Sequence, residues 1–165
     1  MKKNVVKLNE NTLRKIIAES VKKVLKESMQ VDAFKEQLLK EFHETLLNIY
    51  KDAVNDFCKG EKYGPEYFMD TAEEMAELTA EELTNDSLKV LNSNDWDVPK
   101  NNFRPLEFVM GKQGIHNFQE LLATPNPVDI YVEWFWDAFG TFGIEYNFQE
   151  MLGNELYDLE RQEEN

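Results

Sequence analysis

The apolar residues of this chain recur every three or four positions along most of its length, a spacing that fits one face of an α-helix and not the alternation of a strand. Leu13, Ile16, Ile17, Val21, Val24 and Leu25 open the pattern. Asn9 stands where a helix cap belongs, with Leu8 and Leu13 around it at staple spacing, and Glu10 in the first turn suits the helix dipole. Arg14, Lys15, Lys22 and Lys26 occupy the other face, so 10–27 reads as a basic amphipathic helix. A longer stripe follows over 31–58 through Phe34, Leu38, Phe42, Leu46, Ile49, Ala53 and Phe57. Leu39, Leu47, Tyr50 and Val54 widen it, which predicts packing against more than one neighbour. Gly60 supplies its stop. A second helix of this length would span about 42 Å.

Helix signals resume at Pro65, a residue suited to a first turn. Two short copies follow, Thr71-Ala72-Glu73-Glu74-Met75 and Thr79-Ala80-Glu81-Glu82-Leu83, each with the hydroxyl-to-glutamate spacing of a capping box. The second copy also has Leu78 and Leu83 at staple spacing, and the expectation is that the helix over 66–91 breaks near Thr79. Residues 92–104 are polar and Asn-rich around Trp96 and Phe103. They read as a connector with Asx-type turns; the glycine and bidentate glutamate of a calcium loop are missing.

The last third contains an internal similarity between 111–122 and 140–152. Each copy reads G-x-x-G-I and then N-F-Q-E with two apolar residues. Asn117 with Glu120, and Asn147 with Glu150, predict two capped helices, each entered through a glycine turn. The expectation is two similar helix–turn–helix hairpins. Between them, 128–139 carries charge only at Asp129, Glu133 and Asp137, amid Ile130, Tyr131, Val132, Trp134, Phe135, Trp136 and Phe139. A helix apolar nearly all round belongs in a core or at a partner interface. The predicted fold is thus all-α with six to eight helices: a basic arm over 1–28 and an acidic helical domain over 29–165. That domain divides into a long helical hairpin (29–91), the connector (92–104) and the duplicated hairpins (105–160). A chain of 165 residues supports one such domain with a sizeable core.

Charge sharpens the division. Residues 1–27 hold eight basic groups and three acidic ones, a balance of +5, while the whole chain stands at −14, which leaves −19 for the rest. An acidic body repels phosphate backbones, so direct nucleic-acid binding by residues 28–165 is not expected. No run of 18 apolar residues predicts a membrane span, and no apolar stretch after the N-terminal lysines predicts a secretory leader. The single cysteine, Cys58, points to a reducing compartment.

The sequence carries no familiar catalytic signature. Cys58 and His43 lie fifteen positions apart, about 22 Å on a continuous helix, too far for a dyad, and nothing in the sequence brings His116 to either. Lys40 and Gln113 stand where a di-iron bundle needs Glu before His43 and His116, and Leu47 replaces the second histidine of a zinc-protease pattern. No phosphate-cradling glycine motif occurs. The expectation is therefore no enzyme, no cofactor, no metal site and no catalytic residue. Two surfaces remain. The arm's Leu13, Ile16, Ile17, Val21, Val24 and Leu25 form a stripe that must be covered, by folding back onto the acidic body, by a protein partner or by a second copy. A membrane is the poorer match, since the stripe has no Trp or Phe. From Tyr63 to Ser87 the chain has no lysine or arginine and eight acids: Glu66, Asp70, Glu73, Glu74, Glu77, Glu81, Glu82 and Asp86. Such a run is either a solvated face or an imitation of nucleic acid aimed at a basic host protein.

The segment VKLNENTLRKIIAESVKKVLKE, residues 6–27, resembles the opening helix of small proteins of gut Bacteroidota phages, crAss-like phages included. The shared pattern is Leu, a capping residue, Glu, then Leu, Ile-Ile, Glu and a Val/Ile/Leu run. The resemblance implies a phage or mobile-element origin and transfers no catalytic or binding residue. It is consistent with an interaction or structural protein of the bacterial cytoplasm or the virion.

Overall fold

Nothing between residues 28 and 30 stops a helix, and the two expected N-terminal helices are one. In the computed structural model, which describes residues 9–93, 95–99 and 104–165, α1 is a single 48-residue helix, Glu10–Phe57. It is about 72 Å long at 1.5 Å per residue. Separate helices over 10–27 and 31–58 are thereby corrected: Ser28, Met29 and Gln30 include no glycine or proline, so the hydrogen-bond ladder continues. Asn9 caps α1 as expected, its side-chain oxygen accepting from the Thr12 N–H at 2.7 Å. Leu8 of the expected staple lies outside the described residues.

A 3-10 turn, Pro65–Tyr67, leads into α2, Met69–Asn92. The break expected at Thr79 is absent. Thr79 turns its hydroxyl outward from the ladder to accept from Tyr50 Oη at 3.1 Å, so tertiary pairing replaces capping. Helix α2 returns beside α1 along a seam of Ala72, Ala76 and Ala80, all fully buried. Methyl side chains every four residues let the two backbones approach closely. One further turn along, Thr84 donates back to the Ala80 carbonyl at 2.7 Å instead of leaving its hydroxyl unpaired in the core.

The connector behaves as its composition suggests: the Asp95 N–H donates to Ser93 Oγ and the Asp97 N–H to Asp95 Oδ1, both at 3.2 Å. Trp96 is buried and donates to the Leu91 carbonyl at 3.3 Å. Phe103, the other aromatic of this segment, lies outside the described residues.

Short helices α3, Leu106–Gly111, and α4, Phe118–Leu122, come next. Gly114, at φ +75°, makes the turn between them. The cap at Asn117 is present: the Glu120 N–H donates to Asn117 Oδ1 at 2.9 Å, while the Glu120 carboxylate reaches one residue beyond the expected box and accepts from the His116 N–H at 2.6 Å. The second copy is built differently. Helix α5 is Pro127–Phe139, and α6, Phe142–Glu164, already begins five residues before Asn147. A capped start at Asn147 is therefore corrected. The left-handed residue is the second glycine in the first copy and the first glycine, Gly140, in the second, so the later helix restarts sooner. Sequence similarity yields two unequal helix–turn–helix units inside a fold of the expected class, all-α with six α-helices among the described residues.

Helices α5 and α6 run beside α1 in its own direction. Tyr131 meets Phe34 with ring centroids 6.3 Å apart, Phe135 meets Phe42 at 4.9 Å, and Phe148 meets Tyr50 at 4.3 Å. Val128, Tyr131, Trp134 and Phe135 of α5 are buried, while Asp129, Glu133 and Asp137 face out, with Asp137 pairing to Arg104 at 2.9 Å. Near its end α6 ties back to the α1–α2 turn through Lys62 and Glu163 at 2.6 Å.

Candidate interaction surface

The body of the molecule begins at Phe34, the first fully buried residue of α1. Since α2 ends at Asn92 and α1 pairs with it in reverse, the helix before about residue 30 has no neighbour among the described residues and projects as an overhang of roughly 30 Å. Leu13, Ile16, Ile17, Val21, Val24 and Leu25 all lie on this overhang and all are exposed, from 44% at Ile16 to 63% at Val24. Residues 10–28 of the arm do not fold back onto the acidic body. Met29, which sequence reasoning passed over, continues the row at 70% exposure. Its signal was present as the four-residue series Leu13, Ile17, Val21, Leu25, Met29. A neighbouring row, Arg14, Ala18, Lys22 and Lys26, gives the apolar row one basic edge, while Thr12, Ser20 and Ser28 with Ile16 and Val24 border its other side.

The acidic residues form a second surface on the open side of the α1–α2 hairpin. Two adjoining hollows of about 430 and 450 Å³ share His43 and Glu77. Asp70, Glu73, Glu74, Glu77 and Glu81 of α2 make one wall, and Glu36, Leu39, Lys40, His43 and Leu47 of α1 make the floor and the other wall. No residue of α5 or α6 lines this groove. Glu66 lies in the 3-10 turn and Glu82 and Asp86 outside the groove, so five of the eight acids of the run come together and three do not. None of the five groove acids forms an ion pair with a described residue, whereas Asp86 pairs with Lys89 at 3.9 Å. The α1 wall escaped sequence reasoning because it emerges only when α1 and α2 are set side by side.

The residues weighed for catalysis stay apart. Cys58 follows directly on α1, and the helix between it and His43 is unbroken, which places them about 22 Å apart. Burial first, then the carboxylates of Glu66 and Glu61, pushes the Cys58 thiol above its ordinary value, opposite to what a nucleophile requires. Among the described residues no three His, Cys, Asp or Glu side chains converge on a metal position. Nor is any described helix long and apolar enough to cross a membrane. Elsewhere, Tyr131 is held strongly toward its neutral form, chiefly by burial. No protein-family model matches the chain, and no curated protein or solved structure is significantly similar to it.

Proposed function

We propose that this chain is a non-enzymatic interaction or structural protein, derived from a phage or mobile element, whose N-terminal overhang docks on a protein. One observation carries the reading: seven apolar side chains, from Leu13 to Met29, stand bare on a rigid helix already continuous with the core. Ordinary solvated helices place polar residues on every face that water reaches, so an apolar row at this density calls for a cover. The protein acts in the bacterial cytoplasm or on the virion. Its acidic body makes no direct contact with nucleic acid, and neither metal nor cofactor takes part. The test is a pair of substitutions, Ile17→Asp and Val21→Asp, in the full chain. The expected result is an unchanged thermal melt together with loss of association. Retained association in the folded variant refutes docking through the overhang.

A second reading draws on the groove: Glu73, Glu77 and Glu81 form a regular row of carboxylates without ionic partners among the described residues. As an imitation of nucleic acid, this row would occupy the basic cleft of a host enzyme. Its binding would weaken steeply with salt, whereas docking through the apolar row would persist. Capture that survives high salt removes the imitation reading.

A further inference from the structure

We propose that the partner of the overhang is a second copy of this chain, whose α1–α2 groove receives it. This deepens the docking function proposed above and rests on it.

The overhang cannot reach the groove of its own molecule. Both belong to α1, the overhang before residue 30 and the groove from Glu36 to Leu47, and no break in the helix lets the first fold onto the second. A second molecule meets no such obstacle. The groove offers an apolar floor in Leu39 and Leu47 and an acidic wall in Glu73, Glu77 and Glu81, spaced four residues apart. The overhang offers the complementary surface: an apolar row, Leu13, Ile17, Val21 and Leu25, edged on one side by Arg14, Lys22 and Lys26. Arg14 and Lys22 are eight residues apart, as are Glu73 and Glu81, about 12 Å along either helix. The groove extends some 17 Å along α2, and the overhang exceeds that length.

Placement along α1 also permits closure. The overhang is centred near residue 20 and the groove near residue 42, so two antiparallel α1 helices with a two-fold axis near residue 31 bring each overhang beside the other's groove. Because α2 runs back beside α1, this register sets the basic edge of the overhang alongside the acidic run of α2. The contact is isologous and self-limiting, a dimer and not a filament.

The experiment exchanges charges in the full-length protein. One variant carries Arg14→Glu, Lys22→Glu and Lys26→Glu; the other carries Glu73→Lys, Glu77→Lys and Glu81→Lys. All six positions are exposed, so each variant keeps its helical spectrum and melt. Sedimentation equilibrium is expected to give a dimer for the natural chain and a monomer for each variant alone. An equimolar mixture is expected to regain the dimer mass, because the acidic overhang of one variant fits the basic groove of the other and the converse pair is unaltered. A natural chain that stays monomeric at 100 µM, or a mixture that stays monomeric, overturns the proposal. So does a dimer that survives the three groove substitutions, which would mean that overhangs pair with one another. A monomeric chain that still loses a foreign partner on Ile17→Asp/Val21→Asp leaves the docking function standing while refuting self-pairing.

Discussion

The two halves of α1 carry nearly the same apolar rhythm and meet opposite fates. Phe34, Leu38, Phe42, Leu46 and Tyr50 are sealed by α2, α4, α5 and α6, whereas Leu13, Ile17, Val21 and Leu25 face water. Periodicity thus states that a face is apolar; whether the same chain covers it depends on how far the returning helices reach. Here α2 has 24 residues against the 48 of α1, and α4 and α5 reach no further than Phe34, so the first half stays bare.

Substitutions in the covered half and its partners should break the contrast most strongly. Phe135→Ala removes a ring that touches Phe42, Tyr131, Trp136 and Phe139, and should cost about 3–5 kcal/mol in chemical denaturation. A matched pair sharpens the comparison on one helix. Leu46→Ala should cost about 2–5 kcal/mol, while Leu25→Ala in the monomer should stay within about 0.5 kcal/mol. Equal losses at the two leucines would mean that the overhang is core.

Alkali tests the covered half by titration. Burial raises the Tyr131 hydroxyl above its ordinary value of 10, so above that pH the unfolded chain loses a proton that the folded chain keeps. Stability is therefore fully present below pH 10 and declines above it, by about 1.4 kcal/mol per pH unit for this one group. Denaturant titrations between pH 8 and 11 should show a shallower fall in Tyr131→Phe. A smaller effect belongs to Asn117→Ala, which removes the α4 cap and should cost about 1 kcal/mol. Smallest of all is deletion of residues 1–28. The remaining chain should melt within about 0.5 kcal/mol of full length by denaturant midpoint, yet lose its association. Failure of the shortened protein to fold would place the overhang among the structural elements of the body.

Much of this architecture was legible in the sequence because it depends on local rules. Asn9 and Asn117 cap where their spacing says, and the aromatic segment 128–139 enters the core. Where reading failed, a tertiary contact outweighed a local preference or a stop signal was absent. Thr79 has all the marks of a cap, but Tyr50 claims its hydroxyl and the alanine seam on either side keeps α2 straight. Asn147 matches Asn117 residue for residue, yet Gly140 has already turned the chain. The overhang's residues were legible as an apolar stripe, its bareness was not, and the groove required two helices at once.

Gly140 governs more than a turn. Thirteen residues separate Phe135 from Phe148, and in one uninterrupted helix the second would point about 220° around the axis from the first. Yet both rings rest on α1, against Phe42 and Tyr50. The left-handed step at Gly140, φ +65°, cancels that rotation and resets the angular phase of the chain. A side chain at this position favours the right-handed form, which would let α5 and α6 fuse and swing Phe148 and Leu152 away from the core. The inner face of a 23-residue helix is thus fixed by the handedness of one residue whose missing side chain would meet only open space.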